Sequence, residues 1–283
     1  MNFNADAIRK NKIKFIDIKV VNKPDGAIII DKGTSYGYQF NMQGYVTHYY
    51  YTVFNKIVME EDSRKNSSDM VNRYVNDTVF VDVFYNQLNR IICKRVKTDN
   101  TYDGYYYEYN EQSQVTKEMH FKETNANPEG MEFKLGTQEL ISAETYEYKI
   151  LTPTQIKKKY VNNAGYPYKT TIINYDEKNN IVSEIHEFTV SWLRQEYKYE
   201  YDTNRKLLKK TYKSNENGIA VLESVYEYGK DRDIMSEKKY KNGELIFETN
   251  YLFDESGKLI TSEANRNYKN ASILMVKYKY EFY

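Results

Sequence analysis

The chain has 283 residues, of which 41 are lysine or arginine and 40 are aspartate or glutamate, so its net charge is +1. This balance argues against a protein that grips nucleic acid or an anionic membrane by charge, and we expect no nucleic-acid partner. No run approaches the roughly 18 apolar residues of a transmembrane helix. Tyrosine is abundant, at 31 residues, and supplies much of the apolar surface that a core needs.

Residues 1–35 are predicted to form leading strands that are continuous with the sheet that follows. Alternating apolar residues from Lys12 to Val21 predict the first strand, and Pro24-Asp25-Gly26 is typical of a turn. The apolar run from Ala27 to Ile30 predicts a second strand. The first residues lack the basic end and apolar core of a signal peptide. If such a peptide has been removed, we expect an extracytoplasmic protein, in the periplasm or at the cell surface.

From residue 36 onward the chain repeats one pattern with a commonest spacing of about 26 residues. Each copy has alternating apolar residues, an aromatic anchor, commonly an Asp or Asn, a short polar loop, and an apolar residue six positions after the anchor. The anchors are Phe40, Tyr85, Tyr109, Tyr148, Tyr175, Tyr201, Tyr228 and Phe253. The fourth copy departs from the pattern because its loop contains Pro153. A ninth, truncated copy spans residues 277–283.

Each copy predicts a β-hairpin. Strict alternation puts Tyr197, Tyr199 and Tyr201 on one face of a strand and the intervening charged residues on the other. If the anchor pairs with the residue six positions later, Tyr201 faces Leu207 across the hairpin. A lone hairpin is marginally stable, so the copies must pair edge to edge. We therefore predict a single all-β domain, in which residues 36–283 form an antiparallel meander of about eight stacked hairpins in an elongated or curved sheet.

The loops after the anchors contain Asp side chains that can bind backbone amides, and Asn179 or Gly257 where a left-handed conformation is expected. At Tyr175-Asp176, Tyr201-Asp202 and Phe253-Asp254 the chain resembles bacterial YD-repeat (Rhs-type) proteins. The resemblance covers about residues 36–283. It implies antiparallel sheets that coil into spirals or shells, often in exported or cell-surface proteins, and raises the alternative of a toxin-delivery shell. Nothing in the sequence resembles a toxin domain.

Two polar insertions interrupt the repeat, at residues 55–77 and 122–143. Each could hold a short helix or an exposed loop, and loops of this length often carry binding sites. The plainer interpretation is that both are insertions tolerated between hairpins. The enzymatic alternative is a glycan-active enzyme with its site in one of them.

No phosphate-binding loop, zinc-protease motif or serine-hydrolase motif occurs, so we predict a protein that is not an enzyme, with no catalytic residue and no cofactor. The single cysteine, Cys93, follows an apolar pair and is predicted to be buried. His120 and His186 occupy the same repeat position. Because no ligating neighbour has the required spacing, we place both on strand surfaces and predict no metal site.

Acidic residues occur directly before four anchors, and they predict an acidic row on the face opposite the tyrosines. They are Glu108, Glu147, Glu200 and Glu227. We expect neighbouring lysines to neutralise this row.

The most informative surface is a row of tyrosines two positions before the anchors. These candidate binding residues are Tyr107, Tyr146, Tyr199, Tyr226 and Tyr251. In one interpretation, the row only supplies apolar area to the core. In the other, it also forms a surface that binds sugar rings or the edge of another protein. We therefore predict a non-catalytic binding or structural module.

Overall fold

The computed structural model describes residues 3–61, 70–98, 101–130, 132–216, 220–229 and 234–283. Within them, a short helix precedes 18 strands. They are α1 (Ala5–Lys10), β1 (Ile13–Pro24), β2 (Ile30–Phe40), β3 (Val46–Glu61), β4 (Met70–Tyr85), β5 (Ile91–Thr98), β6 (Thr101–Tyr109), β7 (Val115–Asn125), β8 (Leu135–Thr152), β9 (Gln155–Val161), β10 (Pro167–Tyr175), β11 (Ile181–Phe188), β12 (Arg194–Tyr201), β13 (Leu207–Ser214), β14 (Ala220–Tyr228), β15 (Ile234–Lys241), β16 (Glu244–Phe253), β17 (Ile260–Asn267) and β18 (Ser272–Phe282). No helix in these ranges has the length and apolar character to cross a membrane.

The strands form one antiparallel meander in which each strand pairs with the next. β1 pairs with β18 as well as with β2, so the sheet closes into a barrel. The prediction of an all-β antiparallel meander is confirmed, but the predicted elongated or curved sheet is in fact a closed barrel. The truncated ninth copy supplies only one strand, β18, which has no second hairpin strand after it. β1 pairs with β18 along its length instead. Closure removes the unpaired strand edges that an open sheet would expose.

The predicted pairing of an anchor with the residue six positions later is confirmed for six anchors. These pairs are Phe40–Val46, Tyr85–Ile91, Tyr109–Val115, Tyr175–Ile181, Tyr201–Leu207 and Tyr228–Ile234. Phe253 pairs instead with Ile260, one position later. Tyr148 pairs with Lys158, because the fourth hairpin turns tightly after β8 rather than through a five-residue loop.

The loops after the anchors are held by their Asp and Asn side chains, as the sequence predicts. Asp202 Oδ1 accepts hydrogen bonds from the backbone amides of Asn204 and Lys206, both at 2.8 Å. The third residue after the Asp or Asn adopts a left-handed conformation, with φ of +61° at Asn179 and +68° at Gly257. These bonds satisfy loop amides that would otherwise lack partners.

Most of the anchor tyrosines also fasten their hairpin to the preceding one. The Tyr201 hydroxyl donates a hydrogen bond of 2.9 Å to the backbone carbonyl of Ile181. The same contact joins Tyr85 to Val46, Tyr109 to Ile91, Tyr148 to Val115, Tyr228 to Leu207 and Tyr280 to Ile260. Because Tyr280 belongs to β18, the ninth copy obeys the same rule. These contacts lie at the end of the barrel that carries the anchor loops, which we call the anchor rim.

The first 35 residues differ from the prediction in two respects. The strand β1 and the turn after it are confirmed, but the predicted second strand at Ala27 to Ile30 is wrong, because Ile28 is 85% exposed and β2 begins only at Ile30. The helix α1 was not predicted, since six residues are too few for a periodic pattern. Asn4 caps it by accepting hydrogen bonds from the amides of Asp6 and Ala7.

The two insertions extend hairpins. Most of residues 55–77 belongs to β3 and β4, while residues 62–69 lie outside the described part of the chain. In the segment 122–143, β7 continues to Asn125 and β8 begins at Leu135, so an exposed loop joins them. A short helix, one of the two predicted forms, does not occur in the described part of either insertion.

The anchors and the tyrosines two positions before them project from one side of the sheet, which we call the tyrosine face. α1 packs on this face, where Ile8 joins Ile16, Ile18 and Phe40 in a buried cluster. Burial raises the pKa of Tyr107 in β6, and neighbouring groups on this face, from Glu118 in β7 to Tyr49 three strands away in β3, raise it further. Side chains therefore converge on the tyrosine face, which is the concave, inner face of the barrel.

Candidate functional site

All five predicted binding tyrosines lie on the tyrosine face in equivalent register, and all are half-buried. They are Tyr107 in β6, Tyr146 in β8, Tyr199 in β12, Tyr226 in β14 and Tyr251 in β16. They occupy every second strand in two groups, separated at β10 by Ile173, which has the same register. Their rings are thus neither sealed in a core nor free in solvent.

Sequence reasoning missed the charged residues that lie across the hairpins from four of these tyrosines and from Ile173. They lie nine or ten positions after the anchors, and counting that offset along the repeat would have found them. The pairs are Tyr107–Glu118, Ile173–Glu184, Tyr199–Lys210, Tyr226–Glu237 and Tyr251–Glu263. Glu144 of β8 in turn faces Glu118 of β7. We call the five tyrosines, these six charged residues and Lys158 the inner belt.

Hydroxyl and carboxylate groups of the inner belt are hydrogen-bonded to each other. The Tyr199 hydroxyl donates to Glu184 Oε1 at 3.1 Å. The Tyr146 hydroxyl lies 3.2 Å from Oε2 of both Glu118 and Glu144, and its single proton can serve only one of them at a time. Burial and the neighbouring carboxylates raise the pKa of Tyr146 and of Tyr199 far above the usual value. Both phenols therefore remain hydrogen-bond donors at neutral pH.

Ammonium groups cover some of the rings. Lys158 Nζ lies 3.9 Å from the centroid of Tyr146 and 4.5 Å from that of Tyr160. Lys210 Nζ lies 5.0 Å from the centroid of Tyr197. These are cation–π distances. The inner belt therefore combines phenol, carboxylate and ammonium groups on one concave surface, an arrangement suited to a ligand with both flat apolar faces and many hydroxyls.

On the opposite face, the predicted acidic row exists, and lysines neutralise three of its members. Glu108 pairs with Lys117 at 3.8 Å, Glu147 with Lys159 at 3.1 Å and Glu227 with Lys238 at 2.8 Å. The fourth, Glu200, lies directly across the strand pair from Lys209. Lysines therefore lie beside all four carboxylates of the acidic row, as the sequence predicts.

The cysteine and the two histidines take part in structural contacts. Cys93 is buried, as predicted, and burial raises the pKa of its thiol. His120 Nε2 lies 2.9 Å from Asp103 Oδ1, and His186 Nδ1 lies 3.0 Å from the Thr171 hydroxyl. Across the described ranges, no three His, Cys, Asp or Glu side chains meet in a way that could hold a metal ion.

A buried ion pair lies on the face opposite the tyrosines, near the insertion 122–143. Arg95 Nε donates to Glu123 Oε2 at 2.7 Å, and the Glu123 side chain is fully buried. Gln138 also donates to this carboxylate, at 2.8 Å. Phe133, from the loop before β8, lies 3.9 Å from the Arg95 guanidinium and covers it. An added Cβ at Gly104 would lie 2.6 Å from the carboxylate, so this glycine makes room for Glu123. The insertion thus shields an ion pair.

No protein-family model matches the chain, and no curated protein sequence matches it. A porin-like protein from Bacteroides uniformis aligns with 95% of this chain and 98% of its own length, at 10% identity and a TM-score of 0.44. A porin-like protein from Bacteroides vulgatus aligns with 93% of this chain and 97% of its own, at 8% identity and a TM-score of 0.33.

The Tc holotoxin pore of Photorhabdus luminescens aligns with 84% of this chain but with only 14% of its own length, at 12% identity and a TM-score of 0.25. At such identities and scores, these likenesses are limited to β-sheet architecture. They do not establish membership of the YD-repeat family, so that resemblance remains a hypothesis drawn from the loop motifs.

Proposed function

We propose that this protein is a non-catalytic binding barrel whose inner belt holds a glycan, and that it acts outside the bacterial cytoplasm, in the periplasm or at the cell surface. The observation that carries the proposal is the repeated pairing of half-exposed tyrosines with charged groups in one register. Flat rings can stack on the apolar faces of sugars, while phenols and carboxylates bind their hydroxyls. The resemblance of the loops to YD repeats supports the location.

A glycan suits this surface better than the edge of another protein does. A protein edge binds by adding a strand to an unpaired sheet edge. The inner belt lies on a face of the sheet rather than at an edge, and each strand that carries it pairs with a strand on either side. The inner belt also lies on the concave face, which a slender chain reaches more easily than a folded protein does.

The proposal predicts that Tyr199→Ser and Tyr226→Ser each weaken glycan binding about five- to thirtyfold, because loss of one stacking ring costs roughly 1–2 kcal/mol. Folding should persist, since both rings are half-buried. The measurement is retention on a glycan array together with the melting temperature. Tyr166→Ser is the matched control, because that ring is 70% exposed in a loop outside the inner belt.

Unchanged glycan retention in both inner-belt variants, with normal melting, would contradict the proposal. A large fall in melting temperature in both would show that the rings serve as core alone. Tyr166→Ser should change neither quantity.

The second candidate is a glycan-cleaving enzyme, and one observation favours it. Glu118 and Glu144 share the Tyr146 hydroxyl, so their nearest oxygens lie at most twice 3.2 Å apart. Paired carboxylates of glycosidases lie about 5–9.5 Å apart. This candidate predicts that the protein releases new reducing ends from bound oligosaccharides and that Glu118→Gln abolishes the release. If the unaltered protein binds glycans without releasing reducing ends, the enzymatic candidate is excluded.

A further inference from the structure

A cavity of about 370 Å³ opens on the tyrosine face where the chain around α1 covers the anchor-rim ends of the neighbouring strands. Five aromatic rings line it: Phe3, Tyr38, Tyr45, Tyr49 and Tyr85. Tyr38 and Tyr49 are stacked with centroids 5.6 Å apart, and Phe3 meets Tyr38 edge-on at 4.8 Å. The volume is at the lower end for small-ligand sites, which suits a ligand of one or two rings.

Among the described residues of this lining, Lys94 is the only charged one. It projects from β5, where it faces Val83 across the hairpin, and its Nζ lies 5.8 Å from the ring centroid of Tyr107. Lys158, on the same face, has Glu118 and Glu144 among its electrostatic neighbours. No described residue of the cavity lining is a carboxylate, so the cavity presents the Lys94 ammonium beside a set of rings.

Three phenol hydroxyls of the cavity are available to a ligand. Among the described residues, the Tyr85 hydroxyl donates a hydrogen bond of 2.8 Å to the Val46 carbonyl, whereas the hydroxyls of Tyr38, Tyr45 and Tyr49 make no side-chain hydrogen bond. Burial raises the pKa of both Tyr38 and Tyr49, so both hydroxyls keep their protons at neutral pH. Each can therefore donate and accept a hydrogen bond, which is the pattern that sugar hydroxyls require.

We propose that this cavity is a subsite for an acidic sugar, with a uronic acid ring against Tyr38 and Tyr49 and its carboxylate at Lys94. This inference rests on the proposed glycan-binding function and adds the chemical class of one sugar unit. The rings favour a flat apolar face, the free hydroxyls favour a hydroxylated ring over a purely aromatic acid, and the lone ammonium selects a single negative charge.

The experiment compares matched sugars that differ only in the carboxylate. Binding of glucuronate and glucose, and of galacturonate and galactose, is measured by NMR titration of the full chain. Cyclohexanecarboxylate serves as a ring acid without hydroxyls. We expect each uronate to bind at least about tenfold more tightly than its neutral partner, because a hydrogen bond to a charged group contributes that much. Lys94→Gln should reduce the ratio of uronate affinity to neutral-sugar affinity to about one.

Lys198→Gln is the matched control, since it removes the same charge from the opposite face and should leave the ratio unchanged. Equal binding of uronates and neutral sugars, an unchanged ratio in Lys94→Gln, or equally tight binding of cyclohexanecarboxylate would overturn the subsite. These results leave the proposed function standing if glycans still bind through Tyr199 and Tyr226. Failure of every glycan to bind would overturn both.

Discussion

We expect Glu123→Ala to destabilise the protein by about 3–5 kcal/mol, because it leaves the Arg95 charge buried without its partner. The Glu123 side chain is fully buried, and that of Arg95 is only 11% exposed. The Glu123 carboxylate also accepts hydrogen bonds from Tyr106 at 2.5 Å and from Gln138 at 2.8 Å. In the variant, both donors would lose this acceptor. The measurement is the free energy of unfolding in urea.

Glu147→Ala is the matched control, because the Glu147 side chain is 63% exposed and pairs with Lys159 on the same face of the barrel. Exposed ion pairs contribute about 0–1 kcal/mol, so this variant should unfold almost like the unaltered protein. A cost for Glu123→Ala as small as that of Glu147→Ala would show that the buried pair is not a stabilising element.

The same ion pair makes stability depend on pH in a defined direction. Burial opposes ionisation of Glu123, but hydrogen bonds from Tyr106 and Arg95 outweigh it and hold the pKa of Glu123 below its usual 4.5. The folded state therefore binds this proton less readily than the unfolded state does. The stability that ionised Glu123 contributes is therefore fully present above pH 4.5. It is lost as the pH falls through the lower pKa that Glu123 has in the folded state. Glu123→Gln should reduce the acid sensitivity of unfolding in that range.

The second large effect is expected at the seam where the barrel closes. Ile18 of β1 is 1% exposed and faces Tyr36 of β2 on one side and Tyr278 of β18 on the other. Ile18→Asp would bury an unpaired carboxylate there, at a cost of more than about 4 kcal/mol. Separation of β1 from β18 relieves that cost, but it exposes two strand edges, which pair with other molecules. We expect lower stability in urea and oligomers in size-exclusion chromatography.

Lys19→Asp provides the control at the neighbouring position. It introduces the same side chain on the opposite, exposed face of β1, directly across from Lys277 of β18. The new carboxylate faces an ammonium group in water, so this variant should remain monomeric with nearly unchanged stability. A monomeric Ile18→Asp variant with normal stability would contradict the role of the seam in closing the barrel.

The local features of the fold could be predicted from the sequence, because they depend on residues close together in the chain. Tyr201 pairs with Leu207, and Asp202 holds the loop between them, as the pattern of alternation and turn residues predicts. The tyrosine row and its shared register follow from the same periodicity. The same periodicity also determines the opposing carboxylates, such as Glu118, because they lie nine or ten positions after an anchor.

Tertiary structure alone decided the closure, the identity of the inner face and the surroundings of the charged groups. Pairing of β1 with β18 joins opposite ends of the chain, and a strand edge with free amides and carbonyls does not specify which strand will bind it. The accumulated twist and curvature of all 18 strands bring those edges together. The insertion 122–143 covers Glu123 against Arg95, 28 positions earlier, and the barrel places Lys94 beneath the segment around α1. Such contacts depend on the summed geometry of many hairpins, which no single repeat encodes.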